Sequence, residues 1–322
     1  MDADSKIPFG IFSGDVAFGG LIDFYAEPWW CYHFLSPSSL PLASSIFNLL
    51  RFIPNAKERV FINTDRTKNM ALNIPQILKT TISEATRLLP KPTHADGEAK
   101  NVLHLDIGPG QGDLIKLLKD KGGFTSTACD YTAELMTLDD VNVDIVDLNT
   151  QKLPYQDAAF DLVTCTEVIE HIEHYRETLR EMFRILKPGG VLVVSTPNIL
   201  NLKSRLRFLF FGFYNLFGPL HMRESRIYCT GGHINPVSYF YLSHALLDAG
   251  FAGVDLAVDK YQRGSWFLFI LLFPFIQLSS FLNIRKERTK RGTIDESNIS
   301  HVQKMSSMDM LLGRTIVVSC RK

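Results

Sequence analysis

Cysteine is scarce in this chain, 5 in 322 residues. The number is odd and none sit at C-x-x-C spacing, which excludes a disulfide framework and a zinc ribbon. A surplus of charge is also missing, because 34 basic residues meet 34 acidic ones. Bulk binding to nucleic acid therefore has no electrostatic basis. No segment repeats at a fixed period. The start, Met-Asp-Ala-Asp-Ser-Lys, holds acids where a secretory leader needs a basic start and an apolar run, so the expectation is a reducing, cytoplasmic setting. What the chain has in quantity is apolar: 46% of the residues, including 23 phenylalanines, many of them gathered in two late segments. This length and composition give a sizeable core and exclude disorder, collagen and coiled coil.

Residues 1–66 show aromatic clusters but no periodicity, and are set apart as an N-terminal extension of undefined structure. Residues 67–322 read as the main domain, with apolar insertions at 199–230 and 260–312. Pro75 suits the first turn of a helix whose apolar positions Ile77, Leu78, Ile82, Ala85 and Leu88 recur at helical spacing until Pro90. Residues 90–100 read as a linker. Beyond it, short apolar runs alternate with helical patterns, the signature of an α/β fold with a parallel sheet and crossover helices. Strands are expected at 101–106, 124–129, 143–146, 160–166 and 190–195, with final strands at 251–258 and 314–320. The clearest helix is 173–186, ended by Lys187-Pro188-Gly189-Gly190. A second opens with Asn235 as cap and Pro236 as first residue and stops at Gly250.

Leu105-Asp106-Ile107-Gly108-Pro109-Gly110-Gln111-Gly112 puts an acid and a glycine loop between a strand and an apolar helix. A nucleotide-type ligand at the carboxyl end of that strand is the default expectation. In the dinucleotide fingerprint G-x-G-x-x-G the glycines let backbone amides approach a pyrophosphate. Here the third glycine comes one residue early, and Asp106 would repel a pyrophosphate while suiting a ligand that carries an ammonium and a sulfonium. Further acids end the next two strands. Asp130 lies about 20 residues past the loop, where a carboxylate accepts from ribose hydroxyls, and Asp147 is next along the rim, within reach of an adenine amine. The bland alternative for any one of them is a helix cap or a solvated loop; three in register argue against it.

On these residues, and on Leu153-Pro154-Tyr155, Phe160-Asp161-Leu162-Val163, Glu167-Val168-Ile169-Glu170-His171 and Leu186-Lys187-Pro188-Gly189-Gly190, the sequence resembles the class I S-adenosylmethionine-dependent methyltransferases, especially the branch containing ubiquinone-biosynthesis O-methyltransferases. The resemblance covers 101–197, 233–258 and the last strand. It implies a Rossmann-like seven-stranded, mostly parallel sheet with helices on both faces and an antiparallel last strand. It further implies that Asp106, Gly108 and Gly110 hold the methionine end of the cofactor, Asp130 the ribose, Asp147 with Leu148 the adenine, and that Thr166 lines the cofactor.

Methyl transfer displaces a neutral thioether, so the leaving group needs no acid; a hydroxyl nucleophile does need a base. Glu167-x-x-Glu170-His171 follows the fourth strand and places two carboxylates and an imidazole within about one helical turn. With His233 they form a ligand set for a divalent cation such as Mg or Mn, similar to that of metal-assisted O-methyltransferases, or else His171 or His233 serves as a direct base. The alternative is that the glutamates merely line the rim.

The insertions contain Phe208-Leu209-Phe210-Phe211 and, over 264–284, a stretch without a charged residue. The second nears the roughly 20 residues that cross a bilayer, yet Pro274 interrupts it and the chain must return to the same sheet. Two readings stand. In one, apolar helices lie in a membrane interface, with Arg285, Lys286, Arg288, Lys290 and Arg291 meeting anionic headgroups. In the other they form a buried hairpin or a homodimer interface. The expected activity is methyl transfer, O-directed, to a lipid-linked, prenylated or amphipathic small molecule by a peripheral membrane enzyme. The competing expectations are a soluble enzyme acting on a sugar or other polar metabolite, and a methyltransferase-like assembly subunit without turnover.

Overall fold

In the computed structural model, residues 75–89, 101–220 and 232–322 are described. The N-terminal extension and its boundary, the 90–100 linker and part of the first insertion lie outside the described residues. All seven expected strands form: β1 Val102–Ile107, β2 Phe124–Asp130, β3 Val143–Ile145, β4 Phe160–Thr166, β5 Leu186–Pro197, β6 Ala252–Val258 and β7 Thr315–Arg321. Their order is β3-β2-β1-β4-β5-β7-β6. β1 to β5 pair in parallel, and β7 runs antiparallel to both neighbours. This is the Rossmann-like seven-stranded sheet that the resemblance implies. Its order reverses at β1, so a crevice opens at the carboxyl ends of β1, β2 and β4.

β4 and most of β5 are buried because both faces of the sheet are covered there. Helices α1 (Gln76–Leu88) and α2 (Asp113–Lys121) bring Ala85, Leu88, Leu114 and Leu118 against Leu162, Val191, Val193 and Val317. On the other face, α3 (Tyr175–Ile185) and α5 (Tyr239–Ala249) bring Leu179, Met182, Leu242 and Leu246 against Leu105, Val163, Leu192 and Val194. Alternate residues of β4 and β5 serve the two cores, as the two-residue period of a strand demands.

Two expectations need correction. β5 begins at Leu186, four residues early. Phe160 pairs with Leu186, and pairing resumes after a shift at Leu162 and Val191, so the Pro-Gly-Gly run is absorbed into the strand edge. Lys187 to Asp161 at 2.7 Å, and backbone bonds between Gly189 or Gly190 and Lys322, hold it there. Asn235-Pro236, in turn, does not start α5, whose N-cap position is Ser238. The Asn235 side chain instead donates to the Ile172 carbonyl at 2.8 Å, tying this loop to the end of the segment after β4.

The insertions carry α4 (Leu202–Phe211), α6 (Trp266–Lys286) with a π-turn over Glu287–Arg291, α7 (Ile299–Lys304) and α8 (Met308–Leu312). Asn201 caps α4 by accepting from the Ser204 amide at 3.0 Å. Buried Asn198 stitches the two insertions together: its amide donates to the Met310 and Gly313 carbonyls at 2.8 and 2.9 Å, and its oxygen accepts from Leu200 N. Replacing it leaves those backbone groups buried and unpaired. Asn198→Leu is therefore expected to destabilise the fold by about 2–4 kcal/mol, read as a lowered urea midpoint with unchanged slope.

Candidate active site

The loop after β1 works only with glycine. Gly108 has φ +70°, and a Cβ there would stand 2.2 Å from Val168 Cγ2. Gly110, at φ +54°, has open space where a side chain would point, so its backbone faces the pocket. Gly112, at φ +85°, sits against Met136 and Leu138 and starts α2, which explains the early third glycine as a packing requirement. The pocket is lined by Gly108, Gly110, Asp130, Asp147, Leu148 and Glu167, and also by Tyr131, Leu135, Val146, Asn149, Val168, His171 and Ile172. Sequence reasoning missed most of the second group. Tyr131 follows Asp130 directly, and its and Leu135's large apolar exposure, 44% and 45%, is intelligible as a wall for a flat ring.

Asp106 is not on the pocket wall. It is 2% exposed beneath the loop and accepts a hydrogen bond from Thr164 Oγ1 at 2.7 Å. That hydroxyl also meets His104 Nε2 at 2.7 Å, and His104 Nδ1 meets Ser126 Oγ at 2.9 Å. Since Thr164 gives its proton to Asp106, it must accept from Nε2–H, and Ser126 must donate to Nδ1. Burial holds His104 neutral, its pKa pushed down to about 3. Burial pushes Asp106 up to about 7, with the Thr164 bond opposing and the charge of Asp130 adding. No motif pointed to His104 and Thr164, because nothing in the sequence reports pairing between β1 and β4.

Asp130 ends β2, half-buried, accepting from the Tyr131 amide at 2.6 Å; burial raises its pKa. Asp147 lines the pocket while capping its own turn, accepting from Asn149 N at 3.0 Å and Thr150 Oγ1 at 2.9 Å, so the bland reading holds alongside the functional one. Thr166 is not among the lining residues, and its hydroxyl is buried without a hydrogen-bond partner among the described residues.

The segment after β4 turns at Glu167, whose φ of +56° is unusual for a residue with a side chain. Its amide donates to Ser195 Oγ at 3.1 Å, and its carboxyl accepts from the same hydroxyl at 3.3 Å. Burial raises its pKa to about 7. Next comes the 3-10 turn Ile169–His171. The Glu170 carbonyl accepts from the amides of Ile234 and Asn235, both at 3.0 Å, which pins the loop carrying His233. Glu170, His171 and His233 each offer a ligand atom, all within 4.8 Å of one another. Glu167 is not one of the three, so the four-ligand set is corrected to this trio. The ring centroids of His171 and His233 are 4.7 Å apart. His171 Nδ1 lies 3.1 Å from the Gly232 carbonyl; a carbonyl only accepts, so Nδ1 carries the proton and Nε2 the lone pair. Burial lowers the pKa of both histidines. It raises that of Glu170 to about 8, with the charge of Glu167 adding. Neither carboxyl oxygen of Glu170 has a hydrogen-bond partner among the described residues, and His233 Nδ1 has none either.

Residues 75–256 match the family model described as "Methyltransferase domain". The chain belongs to that family, the class I S-adenosylmethionine-dependent methyltransferases. It is 31% identical over 138 residues to the ubiquinone/menaquinone biosynthesis C-methyltransferase UbiE of Pseudomonas savastanoi, covering 38% of this chain and 54% of that protein. It is 29% identical over 141 residues to a demethylmenaquinone methyltransferase of Bacillus licheniformis, covering 40% and 60%. The chain thus spans little more than half the length of the curated relatives it matches. A solved methyltransferase of Archaeoglobus fulgidus is similar at 18% identity and TM-score 0.43, covering 76% of this chain and 94% of that one.

Two measurements check the cofactor side. Asp130→Ala is expected to weaken S-adenosylmethionine binding by about 1–3 kcal/mol in calorimetry. Below its pKa of about 7, Asp106 is protonated and offers nothing to a cationic ligand; above it, the carboxylate attracts one. Affinity is therefore expected to rise as the pH is raised through 7, and Asp106→Asn to flatten that dependence.

Proposed function

We propose that the protein transfers the methyl group of S-adenosylmethionine to a hydroxyl of an amphipathic, lipid-linked acceptor. The observation that carries this reading is the Glu170, His171 and His233 trio beside the cofactor pocket, with the first apolar insertion resting on it. The ring of Phe217 lies 5.1 Å from that of His233, and Phe208 stacks on Tyr214 at 4.5 Å. An aromatic ring of the first insertion thus packs on His233, which supports an acceptor with apolar surface. The curated relatives are named for ubiquinone and menaquinone biosynthesis, which supports a quinone-like ring with an apolar tail.

In the transfer, the acceptor oxygen attacks in line as the methyl–sulfur bond breaks. The cofactor leaves as a thioether, and the hydroxyl proton must go to a base. His171 suits that role: Gly232 fixes its tautomer, its lowered pKa keeps it neutral near pH 7, and Nε2 holds the lone pair. The trio also fits a divalent cation, because the Glu170 carboxyl and His233 Nδ1 are buried and unpartnered among the described residues. A cation held by Glu170, His171 and His233 would lower the pKa of the acceptor hydroxyl.

Carbon-directed transfer is the second reading, and the name of the Pseudomonas relative favours it. The two are separated by incubating the protein with methyl-labelled S-adenosylmethionine and a lipid extract, then testing whether organic-phase label survives ether cleavage. Label lost on cleavage is the expected result, and label that survives sinks the oxygen reading. Label confined to the aqueous phase sinks the lipid-linked acceptor and favours a polar one. His171→Ala is expected to lower turnover about 10²–10⁴-fold with little change in cofactor affinity. If a cation assists, chelator slows the wild type but leaves His233→Ala nearly unchanged; full activity in chelator leaves His171 as the unaided base.

A further inference from the structure

Helix α6 breaks the rule that apolar residues are covered. It runs Trp266–Lys286 and none of its residues is buried. With its flanking turns it is a 29-residue helical segment containing an 18-residue stretch of mean hydropathy 2.0. By length and composition it could cross a bilayer, but its attachments place it otherwise. Ser265, at its start, is fully buried in the domain, and Trp266 meets Tyr261 edge-on at 6.3 Å. Eleven residues on, Gln277 Nε2 donates to the Ser306 carbonyl at 2.7 Å, and Ser280 Oγ lies 3.2 Å from Ser306 Oγ. The helix therefore lies along the domain for about 20 Å. A spanning orientation would drag the polar domain into hydrocarbon.

Its free side is a single stripe. Phe267, Leu271, Phe275, Leu278 and Leu282 recur every three or four residues and, with Ile270 and Phe281 beside them, are 53–77% exposed. Leu209 and Phe210 at the end of α4 add 71% and 83% exposure. A patch of this kind is beyond what ordinary surfaces carry. At the carboxyl end of the stripe the chain turns basic. Arg288 and Arg291 pair with Glu296 and Glu287, whereas Arg285, Lys286 and Lys290 make no ion pair among the described residues, and neither does Arg263 at the other end. Apolar side chains flanked by unpaired cations complement an anionic bilayer surface, where the rings enter the acyl boundary and the cations stay with the phosphates.

We infer that α6 and the end of α4 form a membrane-docking face that lies in the plane of an anionic phospholipid bilayer rather than crossing it. The site chemistry proposed above is a separate matter: vesicle binding can fail while label still reaches an organic-soluble product, and the reverse.

The test floats the full chain with phosphatidylcholine vesicles, with and without phosphatidylglycerol. The expected result is flotation with the anionic vesicles, weakened several-fold by high salt, and lost in the triple variant Phe267→Ser, Phe275→Ser, Phe281→Ser, which leaves the domain-facing side of α6 intact. Lys286→Glu with Lys290→Glu should remove the preference for anionic lipid. Phe267→Trp and Phe275→Trp, quenched by lipids brominated at different depths, should report equal, shallow positions. A deep Phe275→Trp beside a shallow Phe267→Trp means a span and overturns the in-plane placement. No flotation, together with a wild-type dimer that the triple variant converts to monomer, assigns the face to a second copy of the chain and overturns the inference.

Discussion

The contact between Gly108 and Val168 decides where everything in the site lies. The glycine opens the loop that follows β1, and the valine comes second in the turn that follows β4. They approach so closely that a Cβ would stand 2.2 Å from Val168 Cγ2. One contact thus joins the loop that lines the pocket to the turn that carries Glu167, Glu170 and His171. Glu167, immediately before Val168, takes the left-handed backbone that lets the valine reach inward. That conformation costs about 1–3 kcal/mol, offset by the hydrogen bonds Ser195 makes to both its amide and its carboxyl. The same turn delivers Glu170 and His171, and the Glu170 carbonyl gathers the 232–235 loop with His233. Position, strain and proton chemistry are therefore set by packing at one point.

Around that point the governing electrostatic fact is burial, which for Glu167 outweighs the opposing charge of Arg314. Asp106, Glu167 and Glu170 are raised to about 7, 7 and 8, in each case chiefly because burial disfavours their charge. Both histidines are lowered for the same reason. Near neutrality the site is poised between protonated and charged carboxyls, beside neutral imidazoles. Such a site gains from any ligand that brings positive charge, whether a sulfonium with its ammonium or a divalent cation. It gains little from an anionic one, in agreement with the aspartate that ends β1 where a pyrophosphate-binding loop would avoid it.

Much of this was legible in the sequence, for a physical reason. A parallel sheet buried on both faces writes its central strands as largely apolar runs, and acids at their carboxyl ends stand out against them. Asp130, Asp147, Gly108 and Gly110 were found that way and line the pocket. Asp106 was found too, but its place under the loop depends on hydrogen bonds from Thr164 and, behind it, His104, which only the pairing of β1 with β4 creates. The same limit explains the start of α5. Asn235-Pro236 has the letters of a helix cap, yet the asparagine is drawn to the Ile172 carbonyl, a tertiary partner invisible to local pattern. Glu167 and Glu170 share a turn by spacing alone; a single left-handed residue sends one to Ser195 and leaves the other with the histidines.

The topology gives the apolar insertions their meaning. β7 sits between β5 and β6 and pairs with both, so the sheet closes only after the chain has made each excursion. The first leaves from the carboxyl end of β5. The second leaves from the carboxyl end of β6 and re-enters at the start of the antiparallel β7. All three points lie on the rim that also carries Glu167 and the turn after β4. Asn198 at the root of one excursion holds the carbonyls of Met310 and Gly313 at the close of the other, and Arg205 holds the Met305 carbonyl at 2.7 Å. The exposed phenylalanines are thus displayed from a braced platform on the same rim as the reaction pocket, and from Phe210 the chain runs through Tyr214 to Phe217, whose ring meets His233.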